Sequence, residues 1–118
     1  MKENQIQNKI RAACNTGSTR LWRNNIGVAK INGFPVAFGI PGKGGSDLIG
    51  FHKITITREM VGRTVAIFTA VECKSPTGKP TLEQQNFIEF ILSQGGIAGI
   101  ARSETDALTL IQNYQIKL

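Results

Sequence analysis

Glu72 and Lys74 stand where charge is expensive. The run before them, residues 64–71 (TVAIFTAV), is β-branched and apolar, the pattern of a buried central strand. Residues i and i+2 of a strand share a face, so a carboxylate and an ammonium project together from the end of a core element. Such groups need a partner or a ligand. Cys73, between them, points away and leaves its main-chain carbonyl beside them. A second carboxylate, Asp47, follows a loop with glycines at 42, 44 and 45 and opens the apolar run LIG. Glu3 and Gln7 fall on the first turns of a helical stripe with Ile6, Ile10 and Cys14, and Gln85 shares a stripe with Ile88 and Leu92.

Three carboxylates, two glutamines and a lysine turned toward one sheet edge make a hard-oxygen donor set, which suits magnesium or manganese. A lysine beside such a metal can position a water and offset charge on a phosphate. Each residue also has an ordinary explanation: a surface ion pair for Glu72 and Lys74, a turn for Asp47, a helix-dipole contact for Glu3. Their convergence is what favours chemistry.

The elements that must position them follow from periodicity and punctuation. Residues 3–14 read as a helix, with Gly17 as its breaker. Strands are expected at 20–30 and 33–39 around the hairpin signal Asn32-Gly33, and then at 47–57 and 63–73 with a turn near REMVG. Thr81 and Gln84 form a capping box that opens a helix over 82–94. Gly95-Gly96 stops it, IAGIA (97–101) reads as a short buried strand, and Ser103 caps a last helix to about Tyr114. The order α-β-β-β-β-α-β-α is α/β with a mixed sheet flanked by helices. The strand–helix–strand unit over 63–101 should pair its strands in parallel.

A length of 118 residues suits one domain spanning 1–118. The net charge of +6 favours an anionic partner, nucleic acid above others. Two cysteines and one histidine supply neither a disulfide framework nor a zinc cluster. With no apolar leader region and no apolar run long enough for a bilayer, the expectation is a cytoplasmic protein without membrane contact. The loop GIPGKGGS looks like a phosphate loop, but Gly45 stands where the lysine belongs and the segment leads into a strand, so a P-loop is set aside.

Asp47 followed by Glu72-Cys73-Lys74 resembles the Asp…Glu-x-Lys core of the PD-(D/E)XK nuclease superfamily, and more narrowly the VRR-NUC domain. The matching segments are GIPGKGGSDLIG (39–50), VECK (71–74), GKPTLEQQ (78–85) and QGGIAGIARSETDAL (94–108), with ENQIQ (3–7) and RNNIG (23–27) before them. Ser46, not proline, precedes Asp47, a departure the VRR-NUC pattern tolerates.

The resemblance implies a restriction-endonuclease-like core. It also implies metal ligation by Asp47, Glu72 and the Cys73 carbonyl, with Glu3 as a further contributor. Lys74 would be the catalytic lysine, with Gln7 and Gln85 completing the site. It implies a magnesium- or manganese-dependent endonuclease acting on branched DNA such as Holliday junctions, and a homodimer of the stand-alone bacterial or phage type. Lys43, Lys79, Arg20, Arg23 and Arg102 flank the loops that should frame the site and are the candidate DNA contacts, with Lys9, Arg11 and Lys30 extending the patch. The alternative is a non-catalytic DNA-binding module on the same fold, for which carboxylates facing phosphate would be a liability.

Overall fold

The computed structural model describes residues 2–114, which form two compact units that divide between Ile54 and Thr55. The first begins with α1 (Glu3–Cys14), whose first turn is closed by the Gln5 side chain accepting from the Lys2 N–H at 3.1 Å. Gly17 does not end this helix. Asn15 does: it turns extended, and its amide pairs with the main chain of Leu21, accepting from the Leu21 N–H at 2.7 Å. A side chain that imitates a neighbouring strand competes with the next helical turn. α1 packs on β1 (Thr19–Arg23), which runs antiparallel to β4 (Leu48–His52) with Leu21 opposite Gly50.

The strand expected over 20–30 is two strands, β1 and β2 (Gly27–Ile31): the Asn24 N–H still donates to the Asp47 carbonyl at 2.8 Å, in register with the β1–β4 ladder, and the chain leaves that ladder only beyond it, where the Asn24 side chain turns to the carbonyls of Ile40 and Ser46. β2 pairs with β3 (Phe34–Phe38) through a two-residue turn with positive φ at both Asn32 (53°) and Gly33 (82°), the geometry that favours Asn-Gly in tight hairpins. β4 is shorter than expected: beyond His52 the Lys53 N–H makes one more in-register bond, to the Ser18 carbonyl at 2.7 Å, and the strand ends there.

The second unit carries a 3-10 turn at Arg58–Met60, then β5 (Thr69–Cys73), α2 (Leu82–Ser93), β6 (Ile97–Ala101) and α3 (Glu104–Gln112). β5 and β6 are parallel, Thr69 opposite Ile97 and Cys73 opposite Ala101, as the crossover predicts. β5 covers only the last part of the 63–73 run, and because the 20–30 run is two strands the element order holds five strands before α2 where four were expected. Among the described residues, strand pairing takes the form of three two-stranded ladders, two antiparallel and one parallel. The architecture is mixed α/β, consistent with a nuclease-like fold.

The capping box at the start of α2 forms as read, with the Gln84 N–H donating to Thr81 Oγ1 at 3.1 Å and the Thr81 N–H to Gln84 Oε1 at 2.9 Å. α2 and α3 both pack on β6. Among the described residues the buried apolar ones are Ile91, Ile97, Ala98 and Ala101, all in this unit. Full burial of a side chain such as Ile91 contributes about 1.5–3 kcal/mol. The Tyr114 hydroxyl, just beyond α3, donates to the Gly95 carbonyl at 2.9 Å. Among the described residues no helix is long and apolar enough to cross a membrane.

Candidate active-site residues in the two units

In the second unit, β5 carries Glu72 and leads directly into Lys74, and the two side chains meet as the strand period requires, Lys74 Nζ 3.7 Å from Glu72 Oε1. Both are half-buried, at 33% and 19% exposure for Glu72 and Lys74. A partly solvated pair of this length is worth roughly 0–1 kcal/mol, so it orients the ammonium without locking it.

The same carboxylate oxygen accepts from Gln84 Nε2 at 2.9 Å. One amide thus serves two ends: its oxygen closes the capping box on Thr81 and its nitrogen holds Glu72 at the start of α2. Both contacts fall on Oε1, so neither commits Oε2.

The sequence pointed to Gln85 at this place. The structure instead brings Gln84 to the carboxylate, while the exposed Gln85 donates to the Pro80 carbonyl at 3.4 Å. In the sequence the capping box alone accounts for Gln84, yet capping uses the amide oxygen and leaves the nitrogen to act elsewhere.

The Lys74 N–H donates to the Ala101 carbonyl at 3.1 Å, continuing the parallel ladder. Alternation along that ladder turns the Cys73 carbonyl to the opposite edge of β5, away from β6. The segment from Lys74 to α2 is clamped by Arg102. Its Nη1 donates to the carbonyls of Ser75 at 2.5 Å and Gly78 at 2.6 Å, and its N–H donates to Asp106 Oδ2 at 2.9 Å. This candidate phosphate contact is thereby occupied as a loop clamp.

In the first unit, Asp47 is exposed at the threshold of β4. The loop before it is held by one residue, Asn24. Its Nδ2 donates to the carbonyls of Ile40 at 2.6 Å and Ser46 at 2.9 Å, and its Oδ1 accepts from the Ile40 N–H at 3.0 Å. The loop closes so tightly at Gly45 that a Cβ there would run into the Ile40 carbonyl. Asn24 was not singled out from the sequence. Its only signal was its place in RNNIG, because a side chain satisfying a distant loop has no local periodicity.

Asp47 and Gln7 meet on one cleft of about 430 Å³, lined also by Arg23, Asn24, Asn25, Ile26 and Phe38. Arg23 donates to Asn8 Oδ1 at 3.0 Å. Glu3 is exposed on the first turn of α1 and does not line the cleft. Lys43 and Lys79 are exposed in their loops, and Arg20 is exposed on β1.

Among the described residues, no three His, Cys, Asp or Glu side chains gather into a preformed metal cluster. The donors that the motif requires are nonetheless hard oxygens of the kind that Mg²⁺ and Mn²⁺ take: the Asp47 carboxylate in one unit, and the Glu72 carboxylate with the Cys73 carbonyl in the other.

An α/β domain whose strand ends in Glu-x-Lys beside a capped helix has the features of a nuclease. The family model for the VRR-NUC domain matches residues 1–105, and the chain belongs to that family. No curated protein and no solved structure matches it significantly. Membership makes this a nuclease-like module with DNA as its partner, in a family whose nucleases generally use divalent metals.

Proposed function

We propose that this chain is a Mg²⁺- or Mn²⁺-dependent endodeoxyribonuclease that hydrolyses phosphodiester bonds in branched DNA such as Holliday junctions, working as a homodimer in the cytoplasm of a bacterial or phage-infected cell. What carries the reading is the end of β5. There, Glu72 and Lys74 stand side by side, with Glu72 held by Gln84 at the start of α2, inside a family match that also spans Asp47.

Asp47, Glu72 and the Cys73 carbonyl are the proposed metal ligands, assigned from the order of the motif along the chain. When bound there, the metal would act as a Lewis acid on the scissile phosphate and lower the pKa of a water. Lys74 orients the attacking water and shares the charge that builds on the phosphate. Gln84 fixes the rotamer of Glu72, so that its second oxygen is presented in one direction. The N-terminus of α2 favours a phosphate nearby, since its first main-chain N–H groups and its dipole are positive. Gln7 faces the cleft that holds Asp47, and Lys43, Lys79, Arg20 and Arg23 supply phosphate contacts that position without reading sequence.

The test is cleavage of labelled four-way junction, flap, single-stranded and linear duplex DNA in Mg²⁺, Mn²⁺ or EDTA. Metal-dependent cutting that favours the junction supports the proposal. Binding without cutting under every metal would make the chain a DNA-binding module.

A further inference from the structure

We infer that the cleft of the first unit is a subsite for one unstacked nucleotide, an inference that rests on DNA being the partner. Its volume of about 430 Å³ lies within the ~300–1,000 Å³ usual for small-ligand sites. Its lining is unusually rich in amides. Asn24 is spent on the 40–46 loop, but the amides of Gln7 and Asn25 take no hydrogen-bond partner among the described residues. Asparagine and glutamine amides match the paired donor and acceptor on a base edge.

The cleft also offers a ring. Phe38 is 44% exposed, and it lies over Gly27, where a Cβ would stand 2.6 Å from its Cζ. The missing side chain at Gly27 lets the ring settle against the hairpin, and a supported, half-exposed ring is a stacking platform. Arg23 is available for the phosphate of the same nucleotide. Without a metal, as in the binding test below, Asp47 on the same lining repels a phosphate but not a neutral heteroaromatic base. The cleft therefore takes the base, with the phosphate toward Arg23.

A base offers its faces and edge only when it leaves the stack, and that costs least where the duplex is already broken. The subsite thus gives preference for interrupted DNA, most of all where the unpaired base is an adenine, whose edge offers the donor and acceptor that an amide matches.

The experiment compares binding of a duplex with one unpaired adenine against the same duplex fully paired, by fluorescence anisotropy in EDTA. The expected result is binding of the bulged duplex about tenfold tighter by the unaltered protein. Phe38→Ala should bring the ratio close to one, Phe38→Tyr should keep it, and Asn25→Ala should reduce it. Equal affinities for the unaltered protein, or an unchanged ratio in Phe38→Ala, would overturn the inference. If Phe38→Ala unfolds, as circular dichroism would show, Asn25→Ala decides, and an unchanged ratio in it overturns the inference. Cleavage of both duplexes in Mg²⁺ is read separately. Bulge preference without cutting upholds the subsite and removes the nuclease reading, whereas cutting without preference does the reverse.

Discussion

Glu72 lies at the end of a parallel strand, half-buried, with Lys74 and Gln84 on its carboxylate, in the unit that holds Ile91, Ile97, Ala98 and Ala101 in its core. Asp47 lies exposed after a glycine loop, in a unit whose β3 is exposed along its whole length. The first residue is placed by secondary structure: strand period, ladder and helix cap all fix it. The second is placed by Asn24 and by glycines that let the loop close. On the proposed assignment, the same kind of chemistry is asked of one scaffold that resists change and one that concentrates its support in a single side chain.

Mutations can break this contrast. Ile91→Ala should destabilise the second unit by about 2–5 kcal/mol, as a fully buried aliphatic residue does when it leaves a cavity. Trimming the exposed Phe34 or Val28 of the hairpin should cost under about 0.5 kcal/mol in urea unfolding, the range of surface substitutions. Equal losses would mean that the units are not so different. Asn24→Ala removes three loop hydrogen bonds at once and should cost about 1–3 kcal/mol. It should also weaken cleavage more than any stability loss explains, because the loop before Asp47 is no longer fixed.

Gln84 and Gln85 sharpen the comparison within α2. Gln84→Ala should cost about 1–2 kcal/mol through the lost cap and carboxylate contact and should lower cleavage. Gln85→Ala, at an exposed site with one long hydrogen bond, should stay within about 0.5 kcal/mol and leave cleavage near normal. The reverse pattern would return the site to Gln85.

The smallest effect concerns Glu59, fully exposed in the 3-10 turn. A hydrogen bond from its own main-chain N–H, and then one from Thr57, hold its carboxyl below the ordinary value of 4.5. A pKa lowered in the folded state contributes stability above the unfolded value, and that stability fades as pH falls through the folded pKa. Glu59→Gln should therefore slightly reduce stability near neutral pH and flatten its acid dependence below about pH 4.5. A carboxyl NMR titration checks the direction.

The sequence made the second unit readable because its signals are local. Apolar period, the Thr81–Gln84 box and the Ser103 cap each lie within a few residues of what they organise, and α2, β6 and α3 fall close to their expected places. The Asn32-Gly33 hairpin was readable for the same reason. The break between β1 and β2 was not, since there the Asn24 side chain meets Ile40 and Ser46, residues far along the chain. The candidate chemical residues divide likewise. Glu72 and Lys74 follow from strand period alone, while Gln84 required seeing that an amide already used by a cap has a second end.

The central claim is that Glu72 and Asp47 serve phosphodiester hydrolysis, and it is tested most directly by cleavage and binding of a labelled four-way junction by the unaltered protein, Glu72→Ala and Asp47→Ala, in Mg²⁺, Mn²⁺ and EDTA. The account predicts metal-dependent cutting by the unaltered protein, a loss of about 10²-fold or more in each variant, and junction binding that is retained in both, since each 1.36 kcal/mol of lost transition-state stabilisation is about tenfold in rate. Cutting at normal rates by either variant, or cutting that persists in EDTA, would contradict it.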